Sequence, residues 1–197
     1  MDNQAISSLV DNLPAGVAPA ASGRSRKAAE ASARRLAELA FARPDQARQV
    51  AEAPGALPAL VAALAAGGGV AIPSATALGA IATADPGLAR RVVEVEGAMS
   101  GFGAALAGGG DVAKNSTYAL YLIVTAAGLG AAQRMTEAPG VLQGLVAAVE
   151  AGGRAAALPL QQPAAEMAAR WLAAVAASGA GPARRAAEVP GALAALV

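Results

Sequence analysis

Residues 52–64 read EAPGALPALVAAL, and nearly the same phrase returns as EAPGVLQGLVAAV at 137–149 and as EVPGALAALV at 188–197. A worn copy, EVEGAMSGFGAALAGGG, occupies 94–110. Aligned on Gly55, Gly97, Gly140 and Gly191, the copies stand 42, 43 and 51 residues apart. A period of about 40–47 residues is the one that helical solenoids use.

The stretch 85–127 shows what one copy builds. Asp85 is an N-cap candidate with Pro86 at the first helical position, so DPGLARRVVEVEG predicts a short helix closing near Glu96. Beyond Gly97, Met99, Phe102 and Leu106 recur at helical spacing until three glycines stop the pattern. Asp111 is a second N-cap candidate, opening the longest helix, with Val112, Ser116, Ala119, Leu120, Ile123 and Val124 as its inward stripe. Each unit is therefore three helices, one short and two longer. In the second helix of the other copies, Leu57, Leu60, Val61 and Leu64 are matched by Val141, Leu142, Leu145, Val146 and Val149. Glycine ends each short helix and permits a sharp turn, while Pro54, Pro139 and Pro190 set the approach to the next one.

Repetition answers a problem of composition. Hydrophobic residues make up 55% of the 197, but sixty are alanine, so the core must be thin and closely spaced. A small alanine-rich unit cannot bury its apolar face alone and needs an equivalent neighbour to cover it.

Composition also narrows the chemistry. The chain has no Cys and no His, which removes disulfides, thiol nucleophiles, Cys/His zinc sites and imidazole catalysis. Five aromatic residues, Phe41, Phe102, Tyr118, Tyr121 and Trp171, are too few for a large cofactor pocket or a base-stacking platform. A net charge of +1 supplies no global attraction to nucleic acid, which is not expected as a partner. Thirteen Arg against two Lys, with abundant Ala, Gly and Pro, read as GC-rich coding. The charge-free stretch 53–84 is broken by Pro58, Gly67, Gly68, Gly69 and Pro73, and the stretch 115–133 opens on Asn115, Ser116 and Thr117, so no transmembrane span is expected. The first residues lack a basic segment before an apolar run, and a cytoplasmic location is expected.

These residues resemble the armadillo repeat. The pattern of an acid, then Ala-Pro-Gly-Ala-Leu-Pro-Ala-Leu-Val at 53–61, a glycine stop, and a third helix carrying small and aliphatic residues is similar to that family, and nearer to vacuolar and plant armadillo proteins than to HEAT repeats. The resemblance covers nearly the whole chain and implies an all-α, right-handed superhelical solenoid of three-helix repeats over residues 1–197. It implies a partial unit at 1–43, with Ile6, Leu9, Val10 and Leu13 in a second-type helix at 1–13 and a third-type helix at about 24–42. Units follow at about 44–84, 85–129 and 130–179, then an incomplete one at 180–197. The last stops inside a second helix with Leu193, Leu196 and Val197 uncovered, which reads as a fragment or a truncated gene model and leaves end-to-end self-association open.

Catalysis is not expected, nor is any cofactor. Glu52, Glu94, Glu137 and Glu188 recur three residues before each glycine, yet equivalent positions in a helix stack lie about 10 Å apart and cannot converge on one metal ion. Arg48, Arg90, Arg134 and Arg184 precede them by three or four residues, which predicts helix-surface ion pairs. The pieces GFGAAL and GLGAAQ lack the third glycine and the preceding strand of a dinucleotide fingerprint.

Recognition of a protein or peptide partner remains. The resemblance implies that third helices line a concave groove, in which importin-type members carry a Trp and an Asn four residues apart. Those places hold Arg34, Thr76, Tyr118 and Arg170, and Glu38, Ala80, Leu122 and Ala174, so the asparagine ladder is absent. The groove residues it implies are Lys27, Arg34, Glu38, Thr76, Lys114, Tyr118, Leu122, Glu166 and Arg170. Tyr118 reads equally as a groove contact or as packing within the stack. Seven cations between Arg24 and Arg48 face Glu30, Glu38 and Asp45; they read as a solvated helix face and leave contact with an acidic peptide, RNA or a membrane surface open. The expected role is a scaffold or adaptor for an extended segment or partner helix, and the alternative is a docking subunit of a larger assembly using its convex or end surfaces.

Overall fold

The structure is a computed structural model that describes residues 3–17, 22–138, 140–154, 173 and 180–191. It is an all-α repeat superhelix, and among the described residues there is no strand. The helices are α1 (Asn3–Val17), α2 (Gly23–Ala42), α3 (Pro44–Glu52), α4 (Ala56–Ala66), α5 (Ala71–Ala84), α6 (Pro86–Glu94), α7 (Ala98–Ala107), α8 (Gly110–Ala127), α9 (Leu129–Glu137), α10 (Val141–Arg154) and α11 (Ala180–Glu188).

Two rows of helices stack side by side. The second helices pack in the order α1, α4, α7, α10, and the third helices in the order α2, α5, α8. The short helices tie the rows, with α3 against α2 and α5 and α6 against α5 and α8.

The turn between short and second helix is made by one glycine. Gly55 and Gly97 take φ of 73° and 79°, in the left-handed region that costs an L side chain about 1–2 kcal/mol. Ala53 and Val95 before them are extended, and their carbonyls accept from Ala56 N–H at 3.1 Å and Ala98 N–H at 3.0 Å. Glu96 stands where the first copy has Pro54, and the geometry is the same, so the proline is not what sets this turn.

Two helix ends differ from expectation. The short helix of the second copy closes at Glu94, two residues before Glu96, because Val95 is already extended. Asp85 does cap it, its Oδ1 accepting from Gly87 N–H at 2.7 Å. Asp111 does not cap α8, which begins at Gly110 with Gly109 at the cap (φ 70°, ψ −172°); a run of glycines lets the helix reach one residue further back.

The core is thin, as the alanine content requires. Leu60, Leu64, Leu78, Phe102, Leu120 and Ile123 are fully buried, and alanines fill the space between them. The stripe Ser116, Ala119, Leu120, Ile123 and Val124 is buried and Val112 half-buried, while Ile6, Val10 and Leu13 are buried on α1. Leu142, Leu145 and Val146 are buried with Val141; the Val149 side chain lies outside the described residues. Close approach is enforced by glycine, since a Cβ on Gly79 would come within 3.2 Å of Ala119 Cα.

Serine recurs inside the third-helix row. Ser32, Ser74 and Ser116 are buried at intervals of 42 residues, and the Oγ atoms of Ser74 and Ser116 have no hydrogen-bond partner among the described residues. A buried polar group left unpaired costs about 1–3 kcal/mol, and alanine is also the better helix former. Ser74→Ala and Ser116→Ala should each raise stability by about 1 kcal/mol, read as a higher urea midpoint at unchanged slope.

The ion pairs expected within each short helix mostly do not form. Arg184 reaches Glu188 at 3.3 Å, but Arg48 reaches Asp85 of the next unit at 3.4 Å. Arg91 donates to the Ala51 carbonyl at 3.2 Å, and Arg185 contacts Thr136 Oγ1 at 3.2 Å and Glu137 at 3.6 Å. Among the described residues Arg90 and Arg134 make no ion pair. In a stack, the neighbouring unit about 10 Å away is within reach of a long arginine side chain, so it competes with the next turn of the same helix.

Candidate functional site

The third helices present one repeated face. On α2 the side chains at seven-residue intervals are Lys27, Arg34 and Phe41; the equivalent places are Gly69, Thr76 and Thr83 before and along α5, and Asp111, Tyr118 and Thr125 on α8. Seven residues are two helical turns, so each set lines up along its helix, and the three sets lie side by side about 10 Å apart.

Beside the exposed Lys27 and Arg34, two large apolar side chains stand out of this face. Phe41 is 75% exposed and Tyr118 47%, the two large hydrophobic side chains exposed among the described residues. The threonines between them are polar in name more than in reach. Thr76 Oγ1 donates to Ile72 O at 3.0 Å, Thr83 Oγ1 to Ala80 O at 2.8 Å, and Thr125 Oγ1 to Tyr121 O at 2.8 Å.

The expected site residues are placed unevenly. Lys27, Arg34 and Glu38 are exposed on α2, with Arg34 paired to Glu30 at 2.9 Å and Glu38 to Arg35 at 2.9 Å. Thr76 and Lys114 are half-buried on α5 and α8. Leu122 packs on α5, its Cδ1 3.3 Å from where a Gly79 Cβ would stand, and Ala80 at the equivalent place is buried. Glu166 and Arg170 lie outside the described residues. Phe41 was not among the expected residues; its spacing of seven from Arg34 and three from Glu38 was the available signal.

Elsewhere the surface offers little chemistry. Glu52, Glu94, Glu137 and Glu188 are all exposed, and among the described residues no three acidic side chains gather where they could hold a metal ion. An open cleft of about 340 Å³ runs over the turn Ala51–Pro58, closed on one side by Arg91, Glu94 and Val95. No single described helix is long and apolar enough to cross a membrane.

No protein-family model matches the chain, and no curated protein matches it. Solved structures do. A designed armadillo repeat protein, 22% identical, superposes with a TM-score of 0.70 over 94% of this chain and 71% of its own. An engineered protein solved as a structural-genomics target, 23% identical, gives 0.72 over 97% of this chain and 71% of its own. At that identity the likeness shows the fold alone. Stacked three-helix units, a glycine turn repeated in register, and this likeness together establish an armadillo-like repeat fold.

Proposed function

We propose that the chain is a non-catalytic protein-binding scaffold that holds a partner segment against the row formed by α2, α5 and α8. Armadillo-like folds generally serve as protein-binding scaffolds and typically carry no catalysis. The observation that supports this reading is the exposure of Phe41 and Tyr118 on that one row, in an array whose other large apolar side chains are covered among the described residues. Exposed aromatic side chains beside arginine are the usual composition of binding hot spots. The nearer kinship with vacuolar and plant armadillo proteins rests on the opening at 55–61.

The test is affinity capture from a native extract with the intact chain beside an Arg34→Ala, Tyr118→Ala variant, both first shown equally helical by circular dichroism. Partners held by the intact chain and lost by the variant support the row. Partners held equally by both would refute it.

A second reading has its own observation. The outward side chains of α4 and α7, among them Pro58, Ala62, Ala65, Ala104 and Ala107, are exposed and uncharged. A docking role through this outer face predicts partners that ignore the Arg34 and Tyr118 changes and are lost with Ala62→Glu and Ala104→Glu.

A further inference from the structure

The charge left over by the ion pairs is unevenly placed. Arg34, Arg35, Arg43 and Arg48 are each matched by a carboxylate. Arg24, Arg26 and Lys27 have none within ion-pair reach among the described residues, and all three are exposed in the first turns of α2. A helix N-terminus carries partial positive charge and favours carboxylates; the first turn of α2 has no acid. Lys114, in the second turn of α8, is likewise unmatched among the described residues, and Asp111 is the one carboxylate on these helices left to oppose them. On the short helices the charges without an ion pair among the described residues are even in number, Arg90, Arg91 and Arg134 against Glu52, Glu94 and Glu96.

We propose that the third-helix row takes an acidic, extended polypeptide segment that also carries a large apolar side chain. This rests on the reading of that row as the binding surface and adds the chemistry of what it holds. Acidic side chains of the segment lie over Lys27 and Arg24, and the apolar one over Tyr118. Crossing from α2 to α8 spans two helix spacings, about 20 Å, which an extended chain covers in about six residues. Acids and anchor are therefore about six positions apart. With Glu38, Ala80 and Leu122 where an amide ladder would stand, the row has no amide clamp for the segment's backbone. Selectivity falls to charge and to the aromatic contacts.

The probe is a display library of random 15-residue segments selected on the intact chain. Enriched segments are made with a fluorescent label and titrated by anisotropy against the intact chain, a Lys27→Glu, Lys114→Glu variant, and a Tyr118→Ala variant, all shown equally helical. The expected result is a set of acidic segments whose affinity falls at least tenfold with either variant and falls as salt rises. Neutral or basic segments that lose affinity only with Tyr118→Ala would overturn the acid preference and leave the row reading standing. Segments indifferent to both variants, or no enrichment, would overturn both. Flotation with phosphatidylserine vesicles is the remaining arm: binding abolished by the charge reversal, without any acidic peptide, assigns these cations to a lipid surface and overturns the proposal.

Discussion

Phe102→Ala is expected to destabilise the array by about 3–5 kcal/mol, the range for emptying a fully buried phenylalanine site. Phe102 is fully buried on α7, which packs against α4, α8 and α10. Much of the buried core is alanine, and alanine has no side-chain length with which to collapse into a hole. The helices would have to shift as rigid bodies, and each is held by the next unit. In a chain of this size the thermal midpoint should fall by about 6–20 °C. Phe41→Ala is the internal control, the same change at a side chain 75% exposed. It should move stability by no more than about 0.5 kcal/mol. Thermal and urea melts followed by circular dichroism decide this; equal effects at the two positions would contradict the placement of both rings.

Gly144→Ala should cost about 1–3 kcal/mol, although alanine is the better helix former. The added Cβ would land on Leu106 Cβ of α7, an atom tied directly to the backbone, so α10 must back away. The matching glycine one unit earlier behaves differently. A Cβ on Gly101 meets Ala65 Cβ at 3.4 Å, ordinary contact, so Gly101→Ala should be neutral or stabilise by up to about 1 kcal/mol. Two substitutions identical in chemistry and in repeat position thus carry opposite signs. The double variant Gly144→Ala, Leu106→Ala should not recover, because it keeps the offending Cβ. Urea midpoints of the four proteins test the set, and a recovered double variant would show that the Leu106 side chain beyond Cβ was the obstacle.

Much of the fold was legible because a repeat states its rules several times. The glycine turns at Gly55 and Gly97, the Asp85 cap and the buried stripes of α4 and α8 all follow from local rules of backbone conformation and periodicity. The site was legible only in part. Register pointed to Arg34, Thr76 and Tyr118, but composition could not say that Tyr118 stands out of the stack while Leu122, one turn on, is folded onto Gly79. Phe41 lies outside the positions that the repeat register singles out, and only the tertiary structure shows how far it is exposed.

By itself the sequence determined the helices, their order, and the need for each unit to be covered by the next; these depend on residues near one another in the chain. The tertiary structure alone decided which charges meet and which side chains stay uncovered. Arg48 pairs with Asp85, 37 residues away, and Arg185 with Thr136, 49 residues away, since in a stacked array the neighbouring unit, about 10 Å off, lies within reach of an arginine side chain. Arg24, Arg26 and Lys27 of α2, by contrast, meet no acid among the described residues, either on their own helix or in the next unit. What an exposed residue meets is set by the spacing between units, a quantity that no local pattern encodes.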